Sequence, residues 1–307
     1  MSDKGRAAAP VCLIDASIYI FRYYFAMPAN WFSEPEGHST EAVYGFAGFL
    51  VQLLGGYQPT AVAVCFDESL GSGFRHRLSP DYKSSRVLPD EALAFQLKAC
   101  VQVAQLLGLA TYASDEYEAD DLLASLYSAC AREEAPVAIL SRDKDLAQVF
   151  RRDCDFLWDY SDNKRYFPND IATKFGVSCQ QLVDYQALLG DAIDDIPGVP
   201  GIGAKTAAGL LTHGGSIAAL QANPSQIAGF PMRGAKTLAQ KLSEYRGQIA
   251  LSQQLAGLVQ GIELIDTSSQ LHRKPVNCVQ LTDFCQKMGW SAGMIRRLTS
   301  PFANAQA

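Results

Sequence analysis

Three short apolar runs each stop at, or just before, an aspartate. Val11-Cys-Leu-Ile ends on Asp15, Val62-Ala-Val-Cys-Phe ends on Asp67, and Val137-Ala-Ile-Leu ends shortly before Asp143. Such runs are too short for helices and read as buried strands. A fourth is expected at Asp155–Trp158, and the strand at Asp67 begins near Ala61. Between them, Thr40–Leu54, Glu91–Leu107 and Glu116–Cys130 carry apolar residues at helical spacing. Alternating strands and helices predict a mostly parallel central sheet flanked by helices, an α/β fold. In an open parallel sheet, ligands bind beyond the carboxyl ends of the strands. The three aspartates therefore fall where a site would be built.

A chain of 307 residues has room for one or two domains. After about residue 176 the strand patterns fade, and helical spacing with glycine and small residues takes over. We expect a disordered extension at 1–10, an α/β domain at 11–178 and a smaller all-helical domain at 179–307. With 48% hydrophobic and 19% charged residues, a disordered chain is excluded. No apolar run approaches the roughly 20 residues that span a bilayer, and the start lacks a hydrophobic signal core. A cytoplasmic protein, working on the nucleoid, is the expectation.

Further acids gather at three places. Glu118-Ala-Asp120-Asp121 opens a helix, Asp143-Lys-Asp145 follows a strand, and Gly190-Asp191-Ala-Ile-Asp194-Asp195 precedes a glycine-rich turn. Crowded carboxylates repel unless a cation neutralises them. The four histidines show no HxxxH or HExxH spacing and the eight cysteines form no CxxC pair, so zinc is disfavoured. An all-oxygen set suits Mg²⁺, with Mn²⁺ able to substitute. The acids outnumber what one ion needs. Two metals about 3.5–4 Å apart suit in-line phosphodiester cleavage. No Ser, Cys or His arrangement suggests a covalent nucleophile, so water is expected to attack.

Two features look cationic and phosphate-seeking. The stretch from Gly71 to Arg86 is polar, glycine-rich and basic, and long connections of this kind are usually functional or mobile. Gly198–Leu211 recurs 31 residues later as Gly229–Leu242, identical at eight of 14 positions, including Gly-Ala-Lys-Thr. A P-loop would need lysine at 204, which is Ala204. A duplicated hairpin-to-helix unit fits better. Its glycines let backbone amides approach phosphates at a helix N-terminus, with Lys205 and Lys236 on adjacent phosphates.

Tyr44-Gly-Phe-Ala, Val64-Cys-Phe-Asp67, Phe74-Arg-His76, Tyr82-Lys83 with Arg86, Glu118-Ala-Asp-Asp121, Asp143-Lys-Asp145-Leu, Gly190-Asp191 with Asp194, and Ile196-Pro-Gly-Val with Gly201-Ile-Gly-Ala-Lys-Thr206 form one ordered series. The chain resembles the bacterial 5′→3′ exonuclease and flap endonuclease family, which includes the N-terminal nuclease domain of DNA polymerase I. The match runs from about Val11 to Val259; no polymerase region is expected, so the nuclease would be free-standing. The resemblance implies a PIN-like nuclease domain with a helical arch at about 70–100. It also implies a helical DNA-binding domain with a helix-three-turn-helix (helix-hairpin-helix) element, its hairpin repeats at 198–211 and 229–242. The family's acids fall on Asp15, Asp67, Glu118, Asp120, Asp121, Asp143, Asp145, Asp191 and Asp194. By resemblance Asp15, Asp67, Glu118 and Asp120 hold one metal, and Asp145, Asp191 and Asp194 the other. Asp143 lies between, and Asp121 acts through water. Lys83 and Arg86, with Asp143, take catalytic roles at the scissile phosphate. Arg75, Arg77 and Tyr82 hold or stack on the strand, while Gly198, Gly201, Gly203, Lys205, Thr206 and Lys236 grip duplex DNA. A K⁺ ion would sit on the carbonyls of Leu188, Leu189, Pro197, Val199 and Ile202. Asp195 replaces a frequent Asn, with little effect expected.

The net charge of −6 argues against a polyanionic partner only as a total, because it is unevenly spread. Residues 1–195 carry 16 basic and 28 acidic side chains, against 10 and four in 196–307. The acidic excess sits with the nine acids of the metal set. A metal-dependent nuclease acting on DNA with 5′ ends or 5′ flaps, in replication or repair and as a monomer, is the expectation. The alternatives are a flap or duplex DNA-binding protein without cleavage and a small-molecule phosphohydrolase.

Overall fold

The computed structural model describes residues 9–69 and 71–306; residues 1–8 of the expected extension lie outside the described residues. In chain order the regular elements are β1 (Val11–Asp15), α1 (Ala16–Ala26), α2 (Glu41–Gly56), β2 (Val62–Asp67), α3 (Phe74–Leu78), α4 (Glu91–Leu106), β3 (Ala110–Ser114), α5 (Ala119–Cys130) and β4 (Val137–Leu140). There follow β5 (Phe156–Asp159), β6 (Lys164–Tyr166), α6 (Pro168–Phe175), α7 (Leu182–Leu189), α8 (Ala204–Gly214), α9 (Ile217–Ala222), α10 (Pro224–Ile227), α11 (Ala235–Glu244), α12 (Arg246–Ala256), α13 (Cys278–Lys287) and α14 (Ala292–Thr299). These pack as two compact units.

The first unit comprises residues 9–68, 88–141 and 261–306. Its strands run parallel in the order β3-β2-β1-β4. β1 and β4 are buried throughout, as is β2 up to Asp67, which explains their unbroken apolar runs. α5 packs on β1, β2 and β3, while α2 packs against α1 and α4. Two elements were not expected from sequence. β3 reads Ala-Thr-Tyr-Ala-Ser and is only half-buried along an edge. α1 is rich in aromatic and β-branched residues and carries no clear polar face.

The last residues also belong to this unit. The Lys274 amide donates to the Gly108 carbonyl (2.9 Å), His272 bridges to Ala61, and Thr40 Oγ1 donates to the Met288 carbonyl at 2.9 Å. Gly108 has φ +75°, and a Cβ there would lie 2.1 Å from the Lys274 oxygen, so only glycine permits the contact. Leu281, Phe284, Met294 and Leu298 of α13 and α14 are buried.

The second unit comprises residues 69, 71–87 and 142–260. β5 and β6 form an antiparallel hairpin, and the rest is helical, with α7 packed on α8 and α12. Asp155, expected to open the strand, lies just before it and pairs with Arg152 at 2.6 Å. The basic stretch docks into this unit, with α3 against α12. Arg75 is 2% exposed; its Nε donates to the Leu255 carbonyl and Nη2 to the Gly257 carbonyl, both at 2.8 Å. Tyr82 is 2% exposed within a cluster of Ile196, Leu255 and Ala256. The expected DNA contacts through Arg75 and Tyr82 are thereby corrected: one side chain ties main-chain carbonyls together, and the other fills the core.

Candidate metal centre

In the first unit, strand register assembles the acids. Asp15 pairs in register with Cys65, and Asp67 lies two residues beyond Cys65, so all three share a face of the sheet. Asp15 is 4% exposed and accepts from Ser141 Oγ at 2.9 Å. Asp67 accepts from Ser17 Oγ at 2.6 Å and from the Ala119 amide at 2.7 Å, the latter in the first turn of α5. Glu118 caps that helix and Asp120 lies within its first turn. Burial pushes the Cys65 thiol well up, and the charges of Asp15, Asp67 and Asp120 push it further. Three of the four acids expected around the first metal thus act electrostatically on one buried thiol.

Asp121 behaves differently. It is fully buried, and its Oδ2 accepts the Glu118 amide at 3.1 Å, closing a capping box. Asp121 thus caps α5 through one carboxylate oxygen.

In the second unit, Asp143, Asp145, Asp191 and Asp194 form one acidic cluster. Burial raises the Asp143 carboxyl, and the charges of Asp194 and Asp191 add to this. Asp145 is raised to about 7 by burial first, then by the charges of Asp143, Asp191 and Asp194, although a Gln186 hydrogen bond opposes this. Asp191 accepts the Ile193 amide at 2.8 Å, shaping a tight turn closed by a bridge between Asp191 and Ile196. Onto this turn come the basic residues. Arg86 Nη2 lies 2.5 Å from Asp194 Oδ1, and Lys83 Nζ lies 3.8 Å from Asp194 Oδ2. Ser85 donates its amide (3.0 Å) and its hydroxyl (2.8 Å) to Asp195 Oδ2, which holds that carboxyl below its usual range. Arg77 is exposed and reaches back to the Ser72 carbonyl at 3.3 Å.

Among the described residues, no three acid, histidine or cysteine side chains converge at ligating distance on one point. The chemistry nonetheless fits a hard divalent cation. Every donor is an oxygen, and Asp145 is held at about 7 by burial and by neighbouring like charge. Gln186 Oε1 is also buried with no hydrogen-bond partner. A divalent ion among these carboxylates would offset the like charge that holds Asp145 up.

The duplicated segment repeats its helix but not its turn. Both α8 and α11 begin at the alanine of Gly-Ala-Lys-Thr, with Lys205 and Lys236 exposed in the first turn. In the first copy the positive φ is at Gly201 (+76°) and Gly203 is extended; in the second it moves to Gly234 (+74°), since Met232 replaces Gly201. Gly198 is needed for close approach, because a Cβ there would lie 2.2 Å from the Leu189 carbonyl oxygen. Gly203 has open space around its missing Cβ. Thr206 lies in the first turn of α8. Of the carbonyls expected to bind K⁺, Leu188 accepts from the Val199 amide (2.9 Å), Val199 from the Ile202 amide (2.9 Å) and Pro197 from Ser252 Oγ (2.5 Å). Leu189 is the last residue of α7, and Ile202 lies just before α8.

Sequence reasoning missed Ser17, Ser141, Ser85 and Gln186. The two serines that hold Asp15 and Asp67 stand directly after strands, at Asp15-Ala-Ser17 and Leu140-Ser141, and that position was a usable signal. Ser85 and Gln186 had none.

No helix among the described residues is long and apolar enough to cross a membrane. The 5′-3′ exonuclease N-terminal resolvase-like domain family matches residues 10–176, and the 5′-3′ exonuclease C-terminal SAM fold family matches 177–278. The 5′-3′ exonuclease of Buchnera aphidicola is 31% identical over 266 residues, 86% of this chain and 91% of that protein. DNA polymerase I of Pseudomonas aeruginosa is 37% identical over 257 residues, 83% of this chain and 28% of that protein. The chain thus spans under a third of that polymerase. Among solved structures, bacteriophage T5 5′-exonuclease with bound zinc superposes with a TM-score of 0.65 at 19% identity, over 95% of this chain and 98% of the other. The catalytic core of Rad2 with DNA substrate gives 0.64 at 15% identity, over 96% of this chain and 92% of the other. These two share the fold. With strand-end acids in one unit and an acid–base cluster in the other, and with the N-terminal family matched over more than half its length, the chain belongs to the 5′-3′ exonuclease family.

Proposed function

We propose that the protein hydrolyses phosphodiester bonds in DNA, acting from 5′ ends and at 5′ flaps, in replication or repair. The observation that carries this reading is the second unit's partly buried acids, with Lys83 and Arg86 held at Asp194. Asp15, Asp67, Glu118 and Asp120 hold one Mg²⁺; Asp145, Asp191 and Asp194 hold another, with Asp143 between them and Asp121 acting through water, and Mn²⁺ substitutes. When bound, the two ions supply an activated water and offset charge on the leaving 3′ oxygen. Ser17 and Ser141 fix the orientation of Asp67 and Asp15, as outer hydrogen bonds do for metal ligands. Lys83 and Arg86 hold the scissile phosphate and stabilise its developing charge.

Residues 11–178 serve as the nuclease domain and the helices of 179–260 as the DNA-binding domain, while the helices of 261–306, expected to extend the latter, pack in the first unit. The N-termini of α8 and α11, with Lys205 and Lys236, hold phosphates of one strand without reading bases. The carbonyls of Leu188, Leu189, Pro197, Val199 and Ile202 hold K⁺, each having a second lone pair for it. The protein works as a monomer in the cytoplasm.

The test is a labelled 5′-flap duplex incubated with Mg²⁺ and, separately, with EDTA, read by product length. Metal-dependent release of short 5′ products is expected. Binding of the flap with no cleavage would overturn the nuclease reading in favour of a DNA-binding protein.

A further inference from the structure

The turn that carries Lys83 and Arg86 is fastened twice, and only one fastening uses a carboxylate of the metal set. The first is Asp194, whose carboxylate contacts Lys83 and Arg86. The second is Asp195, whose Oδ2 accepts both the amide and the hydroxyl of Ser85. The backbones are laced as well: the Lys83 amide donates to the Asp194 carbonyl at 3.1 Å and the Arg86 amide to the Lys83 carbonyl at 3.1 Å. Lys83 and Asp195 both adopt left-handed backbone, φ +52° and +53°. A lysine there is disfavoured on its own, and such conformations persist only where neighbours over-determine them. Asp tolerates this region better than most residues.

We propose that Asp195 is the positioning residue of the Lys83–Arg86 turn. This rests on the nuclease reading above. A cation at Asp194 competes with Lys83 and Arg86 for the same carboxylate, so that fastening weakens when the metal set is filled. The Asp195–Ser85 pair uses a separate carboxylate and survives. It keeps the two basic side chains at the site while Asp194 turns to the metal, leaving their charge for the phosphate. Asp195 touches neither substrate nor reacting atoms; it acts through Ser85.

The experiment has two arms on the full-length chain. In EDTA, limited trypsin digestion reads cleavage after Lys83 and Arg86. Asp195→Ala and Asp195→Gly are expected to speed it at least about fivefold. Asp195→Asn, which keeps an acceptor and tolerates positive φ, stays within about twofold of wild type. The glycine variant removes the acceptor without adding backbone strain, which separates the hydrogen bond from the φ preference. With Mg²⁺ and a 5′-flap duplex, Asp195→Gly is expected to lower kcat about tenfold to a hundredfold with KM within twofold. Asp195→Asn restores kcat, and Ser85→Ala gives a smaller loss in the same direction. Unchanged digestion in Asp195→Gly would overturn the proposal. Faster digestion with unchanged kcat would overturn it too, leaving a structural brace. A wild-type chain that cuts no DNA overturns the nuclease reading and the positioning role with it, while the digestion arm still reads whether Ser85 holds the turn.

Discussion

The Arg75 guanidinium lies 2.8 Å from the Leu255 carbonyl oxygen, a residue 180 positions later in the chain. A second arm reaches Gly257, so one cation satisfies two carbonyls at and beyond the C-terminal end of α12. Hydrogen bonds from charged donors are worth about 1.5–3 kcal/mol each, and an unsatisfied buried acceptor costs a similar amount. Arg75→Ala is therefore expected to lower folding stability by about 2–4 kcal/mol. DNA affinity, measured well below the melting temperature, should change less than threefold. Urea unfolding and a duplex titration check this; full stability with lost affinity would return Arg75 to the DNA face.

How far the sequence announced the structure depends on the reach of each interaction. β1 and β4 were legible because five and four consecutive buried positions leave an unbroken apolar run. β3 was not, because an edge strand with half-exposed Ala-Thr-Tyr-Ala-Ser lacks that signal. The strand-end acids were legible through topology alone. Their supports were harder to assign: Ser17 and Ser141 stand just after strands, but Ser17 is 50 residues from Asp67, Ser141 is 126 from Asp15, and Ser85 is 110 from Asp195. Arg75 misled for the same reason. A basic residue in a polar insertion reads as exposed until its distant acceptors are known.

Asp145 makes metal-free stability depend on pH. Its folded-state carboxyl titrates near 7, against about 3.9 for an unperturbed aspartate. Between those values the folded chain holds a proton that the unfolded chain has released. Stability therefore falls as pH rises from about 4 to about 7 and levels off above. In EDTA the wild type should melt lower at pH 8 than at pH 5.5. Asp145→Asn should shrink that difference and melt higher than wild type at pH 8. An identical pH slope in the two proteins would count against the acid cluster around Asp145.

Asp143 sits in the same cluster, so its replacement separates chemistry from folding. Asp143→Ala should cut cleavage of a flap duplex by at least about a thousandfold, as loss of a metal-site carboxylate does to charge stabilisation. Flap binding should stay within a few-fold. Mg²⁺ should raise the melting temperature of the wild type and raise that of the variant less. A variant that fails to fold would assign Asp143 a structural role.

Lys205 and Lys236 occupy the same position in two copies of one turn-to-helix unit, each exposed at the start of its helix. The turns differ, with the left-handed residue at Gly201 in one and at Gly234 in the other. The two lysines therefore stand on different backbone but offer the same charge. If each neutralises one phosphate, duplex binding releases one counterion per lysine, and the slope of log affinity against log salt carries about −0.9 for each. Lys205→Ala with Lys236→Ala should weaken duplex binding and make that slope shallower by about one to two, equally for unrelated duplex sequences. Each single variant should give about half the change. Titrations between 50 and 200 mM salt would measure it. A slope that does not move would take both lysines off the phosphate track and leave the duplicated unit with a packing role alone.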